Sequence, residues 1–291
     1  MPHQDEQHPN SVPDNSVPDG DKLTEPMLEQ LRSALSAAGA SDDVLQLLDE
    51  PGTPTEILQR LVDAGVMPDE PASLEELIEE FEELLTPETS PLEAELAGAE
   101  FLAIARGDDD DNDQLAAVLT EVEQYGGASA LGLLRVVAAI SPSASIQQSA
   151  TAAADRLAGT GLGDPPWVGK IGTPRPESCY GYVDSDQDQA VLATFRYGDE
   201  THALAVLIDG DLGGVRDVWV TDKPDELRDE FRADPDQFGA ETELSAATAV
   251  GLLEQALTHE PCPVEEDEID DVDIYLALLR QRLQLLAANA G

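Results

Sequence analysis

Between residues 53 and 93 a hydroxyl residue is followed three positions later by glutamate on three occasions: Thr53-Pro54-Thr55-Glu56, Ser73-Leu74-Glu75-Glu76 and Ser90-Pro91-Leu92-Glu93. This is the capping-box pattern. The hydroxyl accepts from the N–H of the third residue, the glutamate reaches back to the cap N–H, and two orphan donors of a nascent helix are satisfied at once. In two of the three, proline occupies the first helical position, where its missing N–H costs nothing. Such starts commit the front of the chain to helices.

The apolar spacing agrees. Leu74, Leu77, Ile78, Phe81, Leu84 and Leu85 fall on one helical stripe, with Glu75, Glu79, Glu80, Glu82 and Glu83 on the opposite face. Further helices are predicted at 26–38, 42–49, 55–64, 91–105, 113–124, 128–140 and 143–158. The short connections make antiparallel neighbours, hence an all-α helical bundle or short helical array. Before it, Asn10-Ser-Val-Pro-Asp14 repeats as Asn15-Ser-Val-Pro-Asp19. With no apolar periodicity to offset the entropy of ordering, residues 1–22 read as a disordered tail carrying His3 and His8.

At Gly159-Thr-Gly-Leu-Gly163 and Asp164-Pro165-Pro166-Trp167 the helical pattern stops. Beyond it, Gln189–Tyr197 and His202–Ile208 read as strands of a hairpin turned at Gly198-Asp-Glu200. Val215–Val220 supplies a third strand and Ser178–Val183 a fourth. Two helices follow, near 243–258 and 270–288. In the second, Val272, Leu276, Leu279, Leu283 and Leu286 recur at alternating spacings of four and three, as expected of packing on the chain's own sheet. The fold class is therefore α+β: a disordered tail (1–22), an acidic helical domain (23–160) and an α+β domain (161–291) with a small antiparallel sheet and C-terminal helices.

Charge narrows function. The 291 residues include 61 acidic and 15 basic ones, a formal net charge of -46. That balance argues against direct nucleic-acid binding, which needs Lys and Arg to replace condensed counterions, and against an anionic membrane surface. Residues 41–100 hold 18 acidic side chains and one basic one, Arg60, about twice the negative density of the back half. The chain shows no basic-then-apolar leader pattern and no apolar run of membrane-spanning length, so a cytoplasmic location is expected. Two cysteines, Cys179 and Cys262, make no disulfide scaffold.

Three stretches carry a resemblance: Pro91-Leu-Glu-Ala-Glu-Leu96, Asp164-Pro-Pro-Trp-Val168, and His202-Ala-Leu-Ala-Val-Leu-Ile-Asp209 running into Leu212-Gly-Gly214 and Asp217. Together they resemble a group of uncharacterised actinobacterial proteins with a helical front half and a compact β-containing back half. The likeness spans about residues 90–225. It implies a GC-rich actinobacterial origin and brings no catalytic residue to carry over.

Sequence signatures of phosphate-binding loops, dinucleotide sites, serine-nucleophile elbows and zinc-protease helices are absent. What remains is a short list. Asp209, Asp211 and Asp217, with Asp184, Asp186 or Asp188, form a candidate hard-cation site and the basis for a metal-dependent enzyme. The run Asp108–Asp111 reads instead as negative charge before a helix start. Cys179, His202, His259 and Cys262 have the donor set of tetrahedral zinc, though the pairs are far apart in the chain. Nine basic residues of the back half, Lys170, Arg175 and Arg196 among them, are either local ion pairs or an anion pocket, which Trp167 and Trp219 would border. The leading expectation is a non-enzymatic acidic interaction protein that presents its helical face to a basic protein partner and needs no cofactor. The alternatives are the metal-dependent enzyme and an acidic mimic of nucleic acid.

Overall fold

The computed structural model describes residues 73–106, 112–184, 187–259 and 271–290, with Arg32, Leu45, Leu47, Leu48, Ile57 and Arg60 in addition. The tail, the aspartate run, Asp186, Cys262 and most of the three helices expected before residue 65 lie outside them. The chain divides into two compact units, Met1–Pro71 and Ala72–Gly291. In the first, Leu48 and Ile57 are buried and Arg60 Nη1 donates to the Leu47 carbonyl at 2.9 Å.

In the second unit the capping boxes close as the residue pattern requires. Ser73 Oγ accepts from Glu76 N at 3.3 Å and Glu76 Oε2 accepts from Ser73 N at 2.7 Å, opening α1 (Leu74–Glu80). Ser90 and Glu93 exchange the same pair at 3.1 and 2.6 Å and open α2 (Pro91–Arg106). The apolar stripe of α1 runs past the helix end. Phe81 caps it, and a 3₁₀ turn at Glu83–Leu85 carries the stripe on, so the single helix expected through Leu85 is two pieces. Then come α3 (Asn112–Tyr125), α4 (Gly127–Ile140) and α5 (Ala144–Ala158). Gly98 lets α2 and α4 close on each other: a methyl group there would sit 2.2 Å from Val136 Cγ1.

Strands β1 (Arg175–Val183), β2 (Gln189–Tyr197), β3 (Glu200–Ile208), β4 (Val215–Thr221) and β5 (Thr242–Leu244) form one antiparallel sheet in the order β4-β3-β2-β1-β5. Tyr197 pairs with Glu200 across a two-residue turn whose first residue, Gly198, has φ 59°, the left-handed conformation that such a hairpin demands. Helices α6 (Pro224–Ala233) and α7 (Pro235–Phe238) precede β5, and α8 (Ala246–Ala256) and α9 (Asp271–Asn289) follow it. The fold is α+β, helices first and sheet later.

Both sheet faces are covered. Val191, Ala193, Phe195, Leu204, Val206 and Val218 pack with residues of α8 and α9, whereas Leu192, Ala203 and Ala205 pack with Phe231 of α6. Helix α9 serves two cores. Val272, Leu279, Leu283 and Leu286 join the sheet side, and Ala277 and Leu278 join the helical core built by α1 to α5. Trp167 and Ile171 enter that helical core too, and Trp167 Nε1 donates to the Leu84 carbonyl at 2.7 Å. The compact units divide at residue 71, and the chain beyond the Gly- and Pro-rich segment packs back onto the helices before it through Trp167, Ile171, Ala277 and Leu278.

Candidate functional site

The outer face of α1 and its 3₁₀ extension is a carboxylate surface. Glu75, Glu76, Glu79, Glu80, Glu82 and Glu83 are all exposed, while Ile78 and Phe81 beneath them are buried. Glu76 is engaged with Ser73, and Tyr125 Oη donates to Glu79 at 3.2 Å. Among the described residues none of the six is ion-paired with a lysine or arginine. Their position follows from the helical period alone, which turns every residue off the apolar stripe toward water.

Where α2, the hairpin and α9 meet, two charges are fully buried. Arg282 Nη2 donates to Glu95 Oε2, and the same nitrogen lies 2.5 Å from Tyr197 Oη, which also donates to Glu95. Arg282 Nη1 donates to Gln281 Oε1, and Arg282 Nε donates to His202 Nε2 at 3.1 Å. Glu95 Oε1 takes the Gly172 N–H at 2.5 Å, and Gln281 Nε2 returns to the Gly172 carbonyl at 2.6 Å. Buried charges survive when paired and hydrogen-bonded on all sides, and this pair is. Burial, reinforced by the Arg282 charge, pushes the His202 imidazole down to about 3, so the ring is neutral. Burial holds the Tyr197 hydroxyl well above the usual phenol range. His202 stacks on Phe195 and Tyr197, with ring centroids at 5.4 and 5.1 Å.

A cleft of about 610 Å³ adjoins this network. Leu92 and Leu96 of α2 and Val220 of β4 give it an apolar wall; Tyr197, Thr201 and His202 line it from the hairpin, and Glu88, Glu93, Glu200 and Asp222 are acidic members of its lining. A second cleft, about 460 Å³, is lined by Lys170, Arg175 and Arg196. Its cations are already matched. Arg196 forks onto Glu177 at 2.6 and 2.9 Å, Arg175 reaches Glu177 at 3.2 Å, and Lys170 lies 3.6 Å from Glu200.

The expected cation site, whose Asp186 lies outside the described residues, does not assemble among the described ones. Among the described residues no group of three or more His, Cys, Asp or Glu side chains is placed to hold a metal ion. Asp209, Asp211 and Asp217 are instead turn and strand residues. Asp209 Oδ1 accepts from the N–H groups of Asp211 and Leu212 at 2.9 and 2.7 Å, and Asp217 sits on β4 opposite Leu207. Asp188 fixes the same turn, taking the Gly210 N–H at 2.8 Å and Arg216 Nη1 at 2.8 Å, while Asp184 caps Asp188 N at 2.9 Å. Asp184, Asp188 and Asp209 thus serve backbone donors, and Asp188 also serves Arg216, the ordinary work of aspartate at strand ends.

Of the zinc set Cys262 lies outside the described residues, and the other three, Cys179, His202 and His259, are not placed to hold a metal ion together. Cys179 is buried in the sheet-side core, its thiol pushed up to about 11 by burial. His202 is bound to Arg282, and His259 Nδ1 lies 3.0 Å from the Gln255 carbonyl of its own helix end. The back-half arginines also regroup. Arg228 and Arg232 both fork onto Glu241, at 2.7–2.8 and 2.7–2.9 Å. Two contacts in that segment follow helical i, i+3 spacing, Lys223–Glu226 at 3.3 Å and Asp229–Arg232 at 3.5 Å. Arg228 also lies over the Tyr180 ring at 3.5 Å. Neither tryptophan borders the basic cleft; Trp167 is core and Trp219 packs edge-on to Phe231.

Sequence reasoning missed Glu95, Gln281 and Arg282 as members of one site. Glu95 stands in a glutamate-rich helix like any surface residue, and Arg282 reads as a cation near a helix C-terminus. No family model, curated protein or solved structure matches this chain. No helix among the described residues is long and apolar enough to cross a membrane.

Proposed function

We propose that this chain is a non-enzymatic acidic binding protein, and that the carboxylate face of α1 and its 3₁₀ extension docks a basic protein partner. One observation carries the reading: five exposed glutamates, Glu75, Glu79, Glu80, Glu82 and Glu83, have no cationic partner among the described residues, on an element anchored by buried Ile78 and Phe81. Charge spent on intramolecular pairs, as at Glu241 or Glu177, is unavailable to a partner; charge left on a rigid face is available. The folded core beneath supplies the fixed geometry that complementary docking uses.

The test is a pull-down at low and high salt, with bound proteins identified by mass spectrometry, run beside a variant in which those five glutamates are replaced by glutamine. A basic protein retained at low salt, released at high salt and absent from the variant is the expected result. Retention of no basic protein at low salt, or equal retention by the variant, overturns it. A retained DNA-binding protein that DNA displaces would favour the nucleic-acid mimic.

A further inference from the structure

We propose that the cleft between α2 and the β3–β4 edge is a binding site for a small organic cation that carries a carbonyl oxygen, with His202 Nδ1–H as its donor to that oxygen. The tautomer comes from the neighbours. Arg282 has no acceptor atom, so its Nε–H must donate and His202 Nε2 must receive, which leaves the ring proton on Nδ1. That nitrogen is the only buried side-chain polar atom without a partner among the described residues. Folded proteins seldom leave a buried donor unmet, and where they do the group wants an explanation. Here His202 lines a cleft whose volume, about 610 Å³, falls within the ~300–1,000 Å³ of small-molecule sites, and a ligand oxygen reaches the buried Nδ1 only as the lining side chains part.

The rest of the cleft selects the ligand. Leu92, Leu96 and Val220 accept a short aliphatic segment. Glu93 is engaged with Ser90, and Glu200 faces Lys170, but Glu88 and Asp222 are exposed and have no partner among the described residues. Two free carboxylates at the mouth attract an ammonium group and repel an anion. Asp222 lies one position beyond Thr221, the ladder partner of Ala203, and so stands beside His202 at the end of the sheet. A carbonyl at one end and an ammonium at the other therefore match the two unmet demands of the cleft. The acidic docking face on α1 plays no part in this site.

The probe is N-acetylputrescine, which has both groups. Its controls are putrescine, which lacks the carbonyl, and 4-acetamidobutyrate, which keeps the carbonyl and reverses the charge. Titrations are followed on ¹⁵N-histidine-labelled protein by long-range ¹H–¹⁵N spectra. The His202 ring signals are assigned by their loss in His202→Gln. The expected result is a neutral ring protonated on Nδ1 whose signal moves saturably with N-acetylputrescine, with at least tenfold weaker binding of both controls. Glu88→Gln combined with Asp222→Asn, two exposed substitutions, should weaken the probe about tenfold and leave the circular dichroism spectrum unchanged. A ring protonated on Nε2, a signal that N-acetylputrescine leaves in place, or equal responses to all three compounds would each overturn the assignment.

Discussion

Replacing Arg282 by methionine removes one end of the buried ion pair and keeps most of the side-chain volume. In the native chain the guanidinium serves Glu95, Tyr197, Gln281 and His202. Without it Glu95, at 0% exposure, keeps only the Gly172 N–H and the Tyr197 hydroxyl. Removing one member of a buried pair costs about 3–5 kcal/mol, chiefly through the uncompensated charge. The orphaned His202 Nε2 and Gln281 Oε1 sit in the same network, and their losses are not additive with it. A value near 4 kcal/mol is therefore expected, which at a urea m-value of about 3 kcal/mol/M lowers the midpoint by roughly 1.3 M. Tryptophan fluorescence is the suitable probe, because both tryptophans of the chain, Trp167 and Trp219, belong to the compact unit beginning at Ala72. Adding Glu95→Gln should recover about 2 kcal/mol, since the neutral amide still accepts from Gly172 N. A single variant within 1 kcal/mol of the parent, or a double variant no more stable than the single, would refute the reasoning.

Three further outcomes follow from other parts of the molecule. His202 has its folded value depressed to about 3, so its stabilising contribution is complete above ~6.5 and is lost as pH falls toward 3, the unfolded chain taking the proton first. His202→Phe, which preserves ring stacking, should flatten stability against pH by up to about 1.4 kcal/mol per unit between pH 6 and 4; parallel curves would exclude this. Gly98→Ala puts a methyl 2.2 Å from Val136 Cγ1 and should cost about 1–3 kcal/mol in urea unfolding, part of which Val136→Ala restores. Glu241 is held well below the usual carboxylate range by hydrogen bonds from Arg228 first, and from Arg232 and Tyr182. Its contribution is therefore full above ~4.3 and lost on acidification, and Glu241→Gln should cost about 1–2 kcal/mol at neutral pH and speed amide exchange at β5.

Regular periodicity was legible, and chance long-range meetings were not. The capping boxes at Ser73 and Ser90 and the strand alternation from Val191 to Tyr197 are local codes, and each has its counterpart in the fold. Helix α1 ends early because the stripe from Leu74 to Leu85 fits an α-helix and a 3₁₀ continuation equally well over so short a run. Strand β5 has three residues, too few to alternate visibly, and directly precedes α8. The pairing of Arg228 and Arg232 with Glu241 depends on a turn at Pro235–Phe238 that brings separated charges together, so the spacing along one helix does not reveal it. His202 was visible as a candidate, but its role was not. Whether a histidine meets zinc ligands or an arginine is decided by a helix that arrives from eighty residues further along the chain.

The Glu95–Arg282 pair spans 187 positions, and that span has a meaning in time. At about 5–20 residues per second of synthesis, roughly ten to forty seconds separate the appearance of the glutamate from that of its arginine. Throughout that interval α2 exists without the side chain that neutralises Glu95, and the helical core lacks Ala277 and Leu278. A nascent chain in this state has a reason to leave its central carboxylate in water and its helices loosely joined. Helix α9 contributes to both cores, so neither interior is complete until that helix has been made.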